Sequence, residues 1–522
     1  MSGIFDFDSE DLNPLLKKYG LKKTWISILA THLNGKPKFK YILKDKEFAS
    51  AKILKKDIID GLSVGEISVL YEYSVATLNS RSRKSNGQFF TPDDVAKFMA
   101  TFSKVFSPGI WLDPCSGIGN LSWHLTALQK NPEEFLFHSL KLSDKDDLAL
   151  LIARTLLTIS FQKEHTSLYS KIKNNFIHFD FLSVADHGEL LLFDAKNQLE
   201  KIPKHEYVIV NPPYLALPAD SRFETSRAAD LYAYFLENVI KTSKGFISIT
   251  PQSFTNAKKF ESLRDLILKK FKDLTIYNFD NVPANIFKGI KFGSKNTNTA
   301  NSIRVAIMIA KPGKGKIRIT SLLRWRSSER NFLFKNIDKF LSDVKLTRDY
   351  FPKVSKQYQS IYEDVVGRNK LSDIVSSKKT RFVLFIPASP RYFIVALKKT
   401  VTRTSLKKIY FRSEKERDYA YLLINSSFTY WWWRVRDGGM TLSLETLLSV
   451  PLLDFNLNKR LINELEKSEI TNKVYKQNAG SAQENVKHSL KLLVKLNNHV
   501  TPKYSEILTQ LHENSEFTRL MK

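Results

Sequence analysis

Cysteine is almost missing: Cys115 is the single one in 522 residues, which excludes a disulfide framework and a zinc site built on cysteines. Long apolar runs are missing too. The richest stretches, 148–161 and 421–433, are interrupted by Arg154 and by Asn425, Ser426 and Ser427. Neither reaches the roughly 18 clean apolar residues that a membrane span needs. The N-terminus, residues 1–10, is acidic and has no apolar signal core, so the cytoplasm is the expected compartment and no membrane partner is expected. Acid is in short supply overall, with 53 Asp and Glu against 81 Lys and Arg, a net charge of +28. Solubility needs only a few units of charge, so an excess of this size points to a polyanion, most commonly nucleic acid.

What is present suffices for several packed cores: 43% of residues are hydrophobic and 12% aromatic, and the length suggests three or so domains. Residues 1–85 read as helices. Trp25, Ile26, Ile28 and Leu29 form one apolar stripe, and Ile58, Ile59, Leu62, Ile67, Leu70 and Tyr71 form another. Lysines cover the remaining faces, and no chemistry is evident there.

The most informative stretch is Tyr207-Val208-Ile209-Val210-Asn211-Pro212-Pro213-Tyr214. Its first residues have the shapes that fill a strand buried on both faces. The prolines then end the strand and stiffen the backbone around Asn211. An amide, a rigid carbonyl and an aromatic face are presented together at a strand's carboxyl end. That set suits methyl transfer to a planar exocyclic amine. The Asn211 side-chain oxygen and the Pro212 carbonyl would each accept a hydrogen from the amine, drawing its nitrogen toward tetrahedral geometry, while Tyr214 stacks on the ring. Such catalysis works by positioning and fixed dipoles, without a metal. A base inside a duplex would have to be flipped out to reach it. The bland alternative for this tetrapeptide alone is a strand followed by an asparagine turn, so its neighbours decide.

Upstream, Gly87-Gln88-Phe89-Phe90-Thr91-Pro92 precedes a helix from Asp93, with proline in its first turn. Then a short strand ends in Asp113-Pro114-Cys115-Ser116-Gly117-Ile118-Gly119-Asn120, where Gly117 and Gly119 remove side chains from a turn built for close approach to a ligand. The spacing is neither the dinucleotide fingerprint nor a P-loop. A second strand ends in Asp144, where a doubly wound sheet places a carboxylate on a ribose, and a third ends in Asp180 beside Phe181, suited to an adenine. Each acid taken singly reads as a surface or capping residue; the ordered series does not.

This series resembles the gamma-class, S-adenosylmethionine-dependent DNA adenine-N6 methyltransferases, typically the modification enzymes of restriction–modification systems. The resemblance continues through Asp230-Leu231-Tyr232-Ala233-Tyr234-Phe235 and Gly245-Phe246-Ile247-Ser248-Ile249-Thr250-Pro251, and covers roughly residues 86–312. It implies an α/β fold: a Rossmann-like class I methyltransferase sheet with helices on both faces over 86–315. A helical region over 1–85 would precede it, a mixed α/β target-recognition domain over 316–455 would follow, and 456–522 would be helical, broken at 478–482. It implies that Thr91 and Pro92 line the methionine end of S-adenosylmethionine. Asp113, Pro114, Gly117, Gly119 and Asn120 would wrap its amino-acid part, Asp144 would hold the ribose, and Asp180 with Phe181 the adenine. Asn211, Pro212, Pro213 and Tyr214 would act on the target base, with Phe287 packing against it. The family usually has Phe-Asp where this chain has His205-Glu206; the acid is kept in kind. The polar stretch 292–301 reads equally as a loop near DNA or a hairpin extension.

Past the linker 311–315, basic and aromatic residues interleave at Arg324-Trp325-Arg326, Arg391-Tyr392-Phe393, Tyr410-Phe411-Arg412 and Tyr430-Trp431-Trp432-Trp433-Arg434, a mixture suited to phosphate and base-edge contact. The tryptophans favour core packing over base stacking. Arg434 and Arg436 are the better DNA candidates. Double-stranded DNA and a separately encoded restriction endonuclease are the expected partners. Two other readings stand beside the stand-alone enzyme: the methylating subunit of a multi-subunit restriction complex, and a protein-glutamine methyltransferase, whose planar amide poses the same nucleophile problem.

Overall fold

The computed structural model describes residues 5–6, 11–78, 91–163, 167–183, 202–287, 290–291, 303–390, 393–403, 405–439, 441–478, 481–513 and 515–518. Residues 87–90, the polar stretch 292–301, and Arg391 with Tyr392 lie outside them. The chain divides into two compact units, Met1–Phe254 with Lys258–Ile317, and Arg318–Lys522 with Thr255–Ala257.

In the first unit, helices α1 (Leu12–Asn34) and α2 (Val64–Leu78) carry the two apolar stripes. Helix α3 (Asp93–Thr101) starts directly after Thr91-Pro92, with Asp93 and Asp94 in its first turn, where acids complement the helix dipole. Strand β1 (Trp111–Asp113), helix α4 (Asn120–Ala127), strand β2 (Leu140–Asp144), helix α5 (Asp147–Phe161) and strand β3 (Phe176–His178) follow. Next come strand β4 (Tyr207–Val210), helix α6 (Leu231–Thr242), strand β5 (Gly245–Pro251), helix α7 (Glu261–Lys270), strand β6 (Lys272–Phe279) and strand β7 (Val305–Lys311).

These seven strands lie in the order β3-β2-β1-β4-β5-β7-β6. The first five pair in parallel, while β7 runs antiparallel to both neighbours. This is the expected Rossmann-like class I sheet. Its order reverses between β1 and β4, which pair with Trp111 opposite Tyr207. Ligands bind such sheets at that reversal, outside the carboxyl ends of the strands. Asp113 and Asn211 sit on those two ends. Glu206, which stands where the resemblance places an Asp, ties the two strands together on entry: its carboxylate accepts from the Ile110 N–H at 2.7 Å, and its own N–H donates to the Ile110 carbonyl at 2.8 Å.

The core of the helical N-terminal region is continuous with that of the sheet unit. Trp25, Leu29, Leu70 and Tyr71 share one apolar cluster with Ile118 of the glycine turn and with Leu148, Ile152 and Leu156 of α5. Arg154, the charge that interrupts the apolar run of α5, is buried; its guanidinium donates to Glu47 at 2.6 Å and to the Tyr169 hydroxyl.

In the second unit, strand β8 (Lys314–Leu323) brings the chain in, and strands β9 (Val383–Pro387) and β10 (Leu406–Phe411) pair antiparallel. Helices α8 (Glu414–Asn425) and α9 (Ser427–Arg436) follow, and all three tryptophans of α9 are buried, so they are core. The C-terminal stretch departs from expectation. Between helices α10 (Lys459–Thr471) and α11 (Leu490–Val500) it forms a hairpin of β11 (Lys473–Asn478) and β12 (Ser481–Val486), closed by the pair Asn478 and Ser481.

If α1 and α2 share a core with the glycine turn, Trp25→Ala should lower the stability of the first unit by about 3–5 kcal/mol. Chemical denaturation followed by tryptophan fluorescence and circular dichroism would measure it; a near-neutral result would mean that the helices are merely appended.

Candidate active site

Buried strand β4 delivers Asn211 to the crevice with its backbone carbonyl accepting from the Cys115 thiol at 3.2 Å. The Asn211 side-chain nitrogen donates to the Thr91 hydroxyl at 3.1 Å, which directs the amide oxygen the other way. The Tyr214 hydroxyl lies 2.6 Å from that oxygen and 2.9 Å from the Ile249 carbonyl, so its one proton is shared between two acceptors. Phe287, nearly buried, packs 6.2 Å from the Tyr214 ring, and Tyr232 meets the same ring edge-on at 6.3 Å. Burial raises the Tyr214 phenol well above its ordinary pKa, so it acts as a neutral donor.

Thr91 is itself held. Its carbonyl accepts from the Asn120 side-chain nitrogen at 2.6 Å, tying the start of α3 to the start of α4. The glycine turn is closed by Ser116 N–H to the Ser143 carbonyl at 3.1 Å and Gly117 N–H to the Asp144 carboxylate at 2.8 Å. Gly119 answers a different need from close ligand approach. It has φ +84°, and a Cβ there would stand 3.1 Å from Ala153, so it lets α5 pack against the turn.

A cavity of about 180 Å³ opens between these ends. Thr91, Pro114, Gly117, Asn120, Asp144, Asp180, Phe181, Asn211 and Pro213 line it, whereas Pro92, Asp113, Gly119, Pro212 and Tyr214 do not. Sequence reasoning missed the contribution of α6. Leu231 and Phe235 also line the cavity, and the Phe235 ring stacks 5.5 Å from Phe181. Their four-residue spacing at the start of a helix was the available signal.

S-adenosylmethionine fits this donor set. The buried Asn120 side-chain oxygen has no hydrogen-bond partner, leaving an acceptor for an ammonium group. Each Asp144 oxygen takes one backbone N–H, from Gly117 at 2.8 Å and Asp146 at 3.0 Å, leaving lone pairs for a ribose diol. Phe181 and Phe235 form an apolar slot that would suit the adenine. Burial raises the Asp144 pKa, opposed by those N–H groups.

Two expectations are corrected. Asp113 does not touch the cavity. It is 1% exposed, accepts from the Ser122 hydroxyl at 2.9 Å, and has its other oxygen unpartnered; burial pushes its pKa up to about 7. It braces the turn from beneath. Arg434 is buried, and its guanidinium donates to the Leu322 carbonyl within the second unit, so it holds β8 rather than facing DNA. Arg436 is half-buried, with its guanidinium 3.7 Å over the Tyr350 ring.

Residues 138–287 match the family model described as Eco57I restriction-modification methylase. The type II methyltransferase M.BsuBI of Bacillus subtilis is 24% identical over 205 residues, covering 36% of this chain and 38% of that protein. The type II methyltransferase M.PstI of Providencia stuartii is 26% identical over 214 residues, covering 39% and 40%. The chain thus spans less than half the length of these curated relatives. Among solved structures, a DrdV–DNA complex aligns with 56% of this chain and 34% of its own, at 17% identity and a TM-score of 0.41.

The Asp113 carboxyl titrates higher in the folded chain than its unfolded value near 4. Its contribution to stability is therefore full below about pH 4 and lost as pH rises toward 7. Asp113→Asn should accordingly gain stability relative to the parent between pH 5 and pH 8, on the order of 2–3 kcal/mol. Thermal melts at the two pH values would show it, and a pH-independent difference would contradict the assigned burial effect.

Proposed function

Proceeding from a chain related to the type II restriction–modification methyltransferases, we propose that it transfers a methyl group from S-adenosylmethionine to the N6 amine of an adenine flipped out of duplex DNA. The observation that carries this reading is the Asn211 side chain, whose nitrogen is committed to Thr91 and whose oxygen is thereby aimed at an incoming donor beside the cofactor cavity. The net charge of +28 supports a DNA substrate, since phosphate contacts by Lys and Arg supply most non-specific affinity. The compartment of action is the cytoplasm, and a separately encoded endonuclease would be the counterpart it protects against.

In this reading the cofactor supplies an electrophilic methyl on a sulfonium. The Asn211 oxygen and the Pro212 carbonyl accept the two hydrogens of N6, which concentrates its lone pair toward the methyl. The N–C bond forms as the S–C bond breaks, its electron pair returning to sulfur, and the surplus N6 proton leaves to solvent along the Asn211 oxygen. No residue has to act as a strong base, in keeping with a catalyst that works by fixed dipoles. Tyr214 has to release the Asn211 oxygen before the amine can use it, and it then turns its ring to the base alongside Phe287. Self-sufficiency of the chain is part of the proposal.

Modification-sensitive long-read sequencing of a methyltransferase-free host expressing the chain should reveal N6-methyladenine at one recurring motif. Asn211→Ala should abolish the signal. Thr91→Val, which deletes only the hydroxyl orienting the amide, should lower single-turnover transfer by about tenfold or more, the usual scale for one preorganised polar contact. Cofactor-binding protein that leaves DNA unmodified when purified alone, yet methylates it with an added subunit, would replace the stand-alone reading with the subunit one.

A further inference from the structure

Helix α2 lies in the region where the sequence offers no chemistry, yet the side chains at its start and middle hold Asp93 and Asp146, each two positions from a residue that lines the cofactor cavity. At its start, the Ser63 hydroxyl donates to the Asp93 carboxylate at 2.7 Å, and a Cβ on Gly65 would stand only 2.5 Å from that same carboxyl group. His124 holds the other Asp93 oxygen at 3.0 Å. Asp93 opens α3 two residues after Thr91. At its middle, the Tyr71 hydroxyl donates to the Asp146 carboxylate at 2.6 Å. Tyr71 is 3% exposed and is fixed edge-on against Trp25 at 5.3 Å.

Asp146 is the link. One of its oxygens accepts the Leu148 and Ala149 N–H groups at 3.0 and 3.3 Å, capping α5. Tyr71 takes the other. With its side chain anchored at both oxygens, its backbone N–H is aimed at the Asp144 oxygen 3.0 Å away. Asp144 in turn has the lone pairs left over for a diol. A hydroxyl on the N-terminal helix is therefore connected to the cofactor carboxylate through a single residue.

We propose that Tyr71 is a positioning residue for the cofactor ribose, acting through Asp146 on Asp144, so that α2 supports the cofactor site from outside its lining. The inference rests on the assignment of the cavity to S-adenosylmethionine. It follows that loss of the Tyr71 hydroxyl weakens contacts to the ribose diol specifically, and not the fold or the grip on the rest of the cofactor.

The test is isothermal titration of the full chain with S-adenosylhomocysteine and with its 2′,3′-dideoxy analogue, which lacks the ribose hydroxyls. Tyr71→Phe should bind S-adenosylhomocysteine about five- to tenfold more weakly, the scale of one ordinary hydrogen bond, since its effect reaches the ligand only through Asp146 and Asp144. It should bind the dideoxy analogue as the parent chain does. Tyr73→Phe removes a comparable bond on the same helix, to Asn13 at 2.9 Å, and should change neither affinity. Unchanged binding of S-adenosylhomocysteine by Tyr71→Phe, or an equal loss for both ligands, would overturn the positioning role while leaving the cofactor assignment intact. Failure of the parent chain itself to bind S-adenosylhomocysteine would instead overturn the cofactor assignment.

Discussion

The two ends of an asparagine side chain are nearly the same shape, and the proposed reaction needs the oxygen to face the substrate. Two hydrogen bonds fix that orientation together: the Asn211 nitrogen donates to the Thr91 hydroxyl at 3.1 Å, and the oxygen accepts from the Tyr214 hydroxyl at 2.6 Å. Thr91 is in turn held by its neighbours. Asn120 grips its carbonyl, Pro92 fixes the backbone beside it, and Asp93 is clamped by Ser63 and His124. The orientation of one amide on β4 therefore depends on the starts of three helices. Residues far apart in the chain meet here because the sheet reverses its order between β1 and β4, bringing their carboxyl ends together.

The same crowding explains the charge state of the cavity. Both Asp113 and Asp144 are withdrawn from water, and the nearby Asp144 carboxylate adds to the cost of ionising Asp113. Backbone N–H groups offset this for Asp144, which remains the better acceptor; the Ser122 hydroxyl and the Cys115 backbone offset it less for Asp113, whose second oxygen has no partner and whose pKa is raised to about 7. Two carboxyls on neighbouring strand ends thus take different roles, one facing the ligand and one supporting the turn. A cationic cofactor would favour the ionised form of both.

Much of this was legible in the sequence, because a strand end is a local event. Runs such as Tyr207–Val210 announce a buried strand, and the polar residue that follows falls at the crevice by construction. The expected sheet and most of the cavity lining followed from that. What was not legible depends on partners distant in sequence. Arg434 follows three tryptophans on a helix, and nothing local says that its guanidinium will find the Leu322 carbonyl, 112 residues away. Likewise, the apolar stripes of α1 and α2 show which faces are buried but not against what; the answer, Ile118 and α5, ties the helical region to the unit that holds the cavity. The hairpin of β11 and β12 is a milder case. Val474 and Tyr475 favour a strand, but their neighbours are lysine, glutamine and asparagine, and only the pairing itself overrides the helical context on either side.

The resting arrangement of Tyr214 bears on selectivity. Its hydroxyl occupies the Asn211 oxygen that the proposed reaction needs, so the site keeps its acceptor satisfied until a base arrives. An adenine amine replaces that bond with one of the same kind, and the exchange is close to neutral. A base presenting a carbonyl at the same place breaks the bond and restores nothing, leaving two acceptors opposed. A buried polar group left without a partner costs about 1–3 kcal/mol, or roughly five- to a hundredfold in affinity. A pocket that merely accommodated a flat ring would lack this discrimination. In the proposed reading, the contact between Tyr214 and Asn211 is therefore also the one that makes the site choose an amine.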